Sequence, residues 1–113
     1  MTLLKTIYIL GGLLLVLLSI PLILRKVPPN PIYGFRIRWT LEDPELWYSV
    51  NAYTGKWLVF VGLCAILGAT GLALIPGISL DVYAFGNLGI FVVSIALAVV
   101  QSVRFLRKQD SQK

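Results

Sequence analysis

Histidine is absent from the 113 residues, and cysteine occurs once, as Cys64. The first absence removes imidazole as a base, a metal ligand or a member of a Ser-His triad. The second removes any disulfide within the chain and any multi-cysteine zinc site. Charge is also scarce: 13% of the residues are Asp, Glu, Lys or Arg, where a soluble domain of this size carries about a quarter. A chain with so little polar surface cannot face water all round. What it has in plenty is apolar, with 58% hydrophobic residues and a mean hydropathy of +0.84. Its length allows one domain, taken as residues 1–113.

The apolar residues are gathered into runs. The first spans Leu3 to Leu24, with Lys5, Thr6 and Ser19 as its polar members; the second spans Trp57 to Ile75, and the third Val82 to Val103, neither holding a charge. A helix needs about 20 residues to cross the hydrocarbon core, and in lipid the backbone must satisfy its own hydrogen bonds. The expected fold is an all-α membrane protein with three transmembrane helices, over about 3–24, 57–75 and 82–103. Lys5 followed by an apolar stretch is compatible with a cleaved signal. The run is long, however, and Ile20-Pro21-Leu22 offers no small-residue cleavage site, so it is read as a membrane anchor. Pro21, in its last turn, either kinks the helix or helps to end it. Between the second and third runs, Pro76-Gly77 breaks the helix and Ser79 or Asp81 caps the next. The connection is short enough to make these two spans antiparallel neighbours.

Lys and Arg set the orientation. Arg25, Lys26, Arg36, Arg38 and Lys56 lie in the loop 25–56, and Arg104, Arg107, Lys108 and Lys113 in the C-terminal tail. Three crossings put loop and tail on one side, with Lys5 alone on the other, a strong positive-inside bias. Loop and tail are expected in the cytoplasm, with the N-terminus and the Pro76-Gly77 hairpin outside. The net charge of +5 then serves topology and attraction to anionic lipid headgroups. No motif for DNA or RNA accompanies it, so no nucleic-acid partner is expected.

Most of the remaining information lies in the loop. Val27-Pro28-Pro29-Asn30-Pro31 holds the chain extended as it leaves the membrane. Asp43-Pro44-Glu45 has the order of a helix start: a cap, a first-turn proline and an acid near the positive end of the dipole. A short interfacial helix is expected from Pro44 to Gly55, leading into the second span and either ending before it or continuing into it. Its positions sort into three stripes at about 100° per residue. Leu46, Val50, Tyr53 and Trp57 suit the lipid interface or the bundle; Glu45, Ser49, Ala52 and Lys56 suit water. Trp47, Asn51 and Gly55 recur every four residues and suggest a packing surface for the segment Gly34–Thr40. For the aromatics as a group, including Trp39 and Tyr48, anchoring at the headgroup level is the simpler reading. It does not account for Asn51.

Asn30, Gly34, Arg36, Thr40, Trp47, Asn51 and Gly55 stand in the spacing Asn-x3-Gly-x-Arg-x3-Thr-x6-Trp-x3-Asn-x3-Gly. This resembles the signature of the SdpI/YfhL family of bacterial membrane proteins, and the flanking apolar spans fit as well. The family's namesake confers immunity on cells that secrete a killing toxin and holds a transcriptional repressor at the membrane. The resemblance therefore implies a non-enzymatic inner-membrane protein in toxin immunity or envelope signalling, working through a protein partner at the cytoplasmic loop.

Other chemistry is weakly supported. Arg36 and Arg38 form either an anion site or internal salt bridges with Glu42, Asp43 and Glu45. A carboxylate pair in Glu42 and Glu45 has a structural explanation at a helix start, and no cofactor is expected. The two charge-free spans argue against a proton relay, and an apolar thiol such as Cys64 is usually inert. Small residues recur every four positions at Ala65, Ala69 and Ala73, and again at Ser94, Ala98 and Ser102. That spacing lets helix backbones approach closely, either within the chain or in a homo-oligomer. Gly11-Gly12 is another close-contact candidate, and Asn87 and Gln101 can hydrogen-bond across helices. An accessory subunit of a larger complex, and an oligomeric transporter or channel, are the rival readings.

Overall fold

The computed structural model describes residues 1–30 and 43–111, without side chains beyond 109. Gly34, Arg36 and Thr40, and with them Arg38, Trp39 and Glu42, lie outside the described residues. The described chain is all helical: α1 (Thr2–Ile23), α2 (Pro44–Ala73) and α3 (Leu80–Ser111). All three are long and apolar enough to cross a membrane.

Each helix end has a local cause. After α1, Arg25 adopts a left-handed φ of 58°. Its N–H reaches the Leu22 carbonyl at 3.2 Å and that of Lys26 the Pro21 carbonyl at 3.0 Å. These two bonds make a Schellman stop, with arginine where glycine is usual. Pro21 thus sits inside the helix and supplies one of the carbonyls that end it. At the start of α2, Asp43 Oδ1 accepts from the Leu46 N–H at 3.3 Å and Pro44 occupies the first turn, where its missing N–H costs nothing. Gly77, at φ 73°, turns the chain between α2 and α3. Ser79 then caps α3, its Oγ accepting from Val82 N–H at 3.2 Å. Of the two capping candidates it is Ser79 whose side chain does so.

A short interfacial helix distinct from the second span is not seen; the continuous alternative is what forms. Pro44–Gly55 is the first part of one continuous helix of 30 residues. At about 1.5 Å per residue it is about 45 Å long, well beyond the ~30 Å of a hydrocarbon core. α3, with 32 residues, overshoots at the same end. The two overhangs are apolar toward each other: Leu46 and Val50 of α2 bury Leu106 of α3, and Tyr53 stacks on Phe105 with centroids 4.2 Å apart. A continuous helix leaves no backbone group unpaired at the membrane surface, which a break near Lys56 would do.

α2 is the central helix, packing against α1 on one side and α3 on the other. Beside large apolar residues such as Trp47, Val50 and Leu106, the interior holds many small and polar ones. Gly12, Ser19, Asn51, Thr54, Asn87 and Ser102 are buried, while Leu3, Leu10, Leu67, Phe85 and Val93 are exposed. Small and polar residues inside, with large apolar ones outside, is the arrangement lipid selects, because apolar side chains gain little by leaving lipid for protein.

Candidate functional site

The α1–α2 seam is built on glycine. A Cβ on Gly12 would lie 2.6 Å from the Gly62 carbonyl oxygen, and one on Gly62 equally 2.6 Å from that of Gly12. The two backbones are therefore in contact. Gly55 repeats the device one heptad earlier, where a Cβ would meet the Ser19 carbonyl at 3.1 Å and the Ile23 side chain at 2.8 Å. Gly11 is exposed, with nothing within 4 Å of a Cβ. Ser19 is fully buried and returns its hydroxyl to the Leu15 carbonyl at 2.5 Å.

From Gly55 the same stripe climbs to Asn51 and Trp47. Trp47 is fully buried, and its Nε1 donates to the Val27 carbonyl at 2.7 Å. Asn51 is buried and donates from Nδ2 to the Trp47 carbonyl at 3.0 Å. Trp47 and Gly55 thus hold the end of α1 and the chain just beyond it; the segment Gly34–Thr40, expected to pack on this stripe, lies outside the described residues. Asn30 donates to the Pro28 carbonyl at 2.8 Å and closes the proline-rich turn. These contacts place residue 30 and residue 43, the two ends of the undescribed stretch, at one end of the bundle.

The α2–α3 seam carries polar bridges. Thr54 Oγ1 donates to Ser102 Oγ at 2.8 Å, and Tyr83, fully buried, donates its hydroxyl to the Ala69 carbonyl at 2.8 Å. Ala65, Ala69, Ser94, Ala98 and Ser102 are buried, and Ala73 is half-buried. Ser94 bonds within its own helix, to the Phe91 carbonyl. Asn87 likewise gives its Nδ2 to the Tyr83 carbonyl, leaving Oδ1 buried without a hydrogen-bond partner beside Gly68. Gln101 is half-buried. Ala52, assigned to the water-facing stripe, is buried; Glu45 and Lys56 on that stripe are exposed. Sequence reasoning passed over Tyr83, Thr54 and Ser19. Their signal was isolation: single hydroxyl groups within long apolar helices.

A model of the SdpI/YfhL protein family matches residues 26–103. The chain belongs to this family. It is 31% identical over 67 residues to the uncharacterized protein YfhL of Bacillus subtilis (strain 168). The alignment covers 57% of each chain, so the protein spans a little over half the length of the curated relative it matches. No solved structure matches. The region that carries the SdpI/YfhL likeness begins at the Schellman stop of α1. It includes Gly55 and Gly62, the residues against which α1 docks. The family region therefore holds the receiving face for a helix that precedes it.

Proposed function

We propose that the protein is a non-catalytic component of the bacterial inner membrane. It acts in toxin immunity or envelope signalling by binding a protein partner on the segment between α1 and α2. The observation that carries this reading is the Trp47–Val27 hydrogen bond together with the Gly55–Ser19 approach. They divide the signature in two. Trp47, Asn51 and Gly55 are engaged inside the bundle and fix where the segment starts and ends. Gly34, Arg36 and Thr40 belong to the segment so presented and are assigned to the partner. The bias of nine Lys and Arg against one supports a cytoplasmic side for that segment. The lack of histidine, and of any charge in Trp57–Ile75 and Val82–Val103, supports binding rather than catalysis.

The test is photo-crosslinking in living cells from an unnatural amino acid at position 36, followed by mass spectrometry. One recurrent protein partner, lost in the Thr40→Ala variant while membrane insertion is unchanged, supports the reading. Crosslinks to lipid alone contradict it. Stoichiometric co-purification with a defined enzyme complex would favour the accessory-subunit reading instead.

A further inference from the structure

The geometry points to a binding site for one anionic phospholipid, drawn from the surrounding leaflet, in the open groove between α2 and α3. Phe60 and Cys64 of α2 face Gly86, Ile90, Val93 and Leu97 of α3 across an apolar groove of about 480 Å³. Lys56 and Trp57 extend it, with Phe60 and Leu97 as shared walls, by a space of about 330 Å³. Beyond these lies a polar pocket of about 460 Å³ walled by Tyr53, Gln101, Arg104, Phe105 and Lys108.

The three spaces form one track. Among the lining positions, 86, 90, 93, 97, 101, 104 and 108 on α3 advance by steps of three and four, as do 53, 57, 60 and 64 on α2, with Phe85, Gly89, Ser94, Phe105 and Lys56 flanking them. Each set is a single stripe of its helix. The helices are antiparallel, so the track runs from an apolar middle to a basic end. Among the described residues no Asp or Glu lines it. From Gly86 to Arg104 the track rises about 27 Å at about 1.5 Å per residue, most of the ~30 Å of a hydrocarbon core.

This polarity selects the occupant. An acyl chain lies along an apolar groove, and a phosphate needs donors at the mouth. The Arg104 guanidinium, the Gln101 amide and the Lys56 ammonium supply them, and Arg104 and Lys56 are both exposed at that mouth. A zwitterionic lipid would satisfy the groove but bring its own cation to a basic pocket. The site does not depend on the immunity or signalling reading, only on the bundle lying in a membrane.

Native mass spectrometry of the delipidated full chain in mild detergent tests it, with dioleoyl phosphatidylglycerol and dioleoyl phosphatidylcholine as probes. The wild type should retain one phosphatidylglycerol under activation that strips phosphatidylcholine. Arg104→Gln should weaken retention about fivefold, the worth of about 1 kcal/mol for one basic residue near an anionic headgroup. Arg107→Gln, exposed on the same helix but lining none of the track, should leave it unchanged. Gly89→Leu fills the groove without a clash, since nothing lies within 4 Å of a Cβ there, and should abolish retention. Gly71→Leu, equally unobstructed but outside the groove, should not. Equal retention of both lipids would overturn the proposal, as would equal effects of Arg104→Gln and Arg107→Gln. So would a wild-type dimer, free of lipid, that Gly89→Leu dissociates, because the occupant would then be a second copy.

Discussion

Gly12 and Gly62 meet backbone to backbone, each leaving 2.6 Å between the other's carbonyl oxygen and the place a Cβ would take. No flexible side chain is available to yield, so the helices themselves must separate if either glycine gains a methyl group. Gly12→Ala and Gly62→Ala are each expected to cost about 1–3 kcal/mol, the usual penalty of overpacking. Gly11→Ala, with open space around it, should be neutral or slightly stabilising. Thermal unfolding in detergent, with the three variants side by side, reads the difference. Equal behaviour of Gly11→Ala and Gly12→Ala would remove the close crossing.

The Thr54–Ser102 bond joins two side-chain hydroxyls across α2 and α3. Thr54→Val and Ser102→Ala should each destabilise, and their double-mutant cycle should show a coupling of about 0.6–1.7 kcal/mol, the range for bonds between helices in membranes. Additive effects would mean that the two hydroxyls find other partners.

Asn87 has the opposite prospect. Its Oδ1 is buried without a partner, and its Nδ2 bonds only within its own helix. Replacing a half-satisfied amide by an apolar side chain of similar shape removes a desolvation penalty of about 1–3 kcal/mol. Asn87→Leu is therefore expected to raise the unfolding temperature. A lowered one would show that the amide bonds something the isolated chain lacks.

Trp47→Phe keeps the buried ring and removes the donor to Val27. The loss should be about 0.5–1.5 kcal/mol globally but larger in local effect, because the bond pins the chain leaving α1. Limited proteolysis of reconstituted protein should show faster cutting between residues 24 and 43, with α2 and α3 intact. An unchanged cleavage rate would mean that packing alone holds this end.

The three spans were legible because lipid imposes length and hydropathy directly on the sequence. Asp43-Pro44 also announced the start of α2 faithfully. What hydropathy could not show was that Pro44–Lys56 continues the second span without a break. That stretch carries Glu45 and Lys56, and a charge count reads it as outside the membrane whether or not the helix bends. The overhang is straightened by Leu106 and Phe105, which sit more than 50 residues away in sequence and have no local signature. The Trp47, Asn51 and Gly55 stripe was visible as a period of four, but the neighbour of Gly55 on α1 was not. A glycine announces a close approach without naming what approaches, and here that is Ser19 and Ile23 of α1.

We propose that the segment joining α1 to α2 lies on the cytoplasmic side of the membrane. Single cysteines at positions 39 and 78, in a Cys64→Ala background, test it with a membrane-impermeant maleimide. The expected result is labelling of Ile78→Cys in intact cells and of Trp39→Cys only in inverted membrane vesicles. Labelling of Trp39→Cys in intact cells would contradict the claim outright.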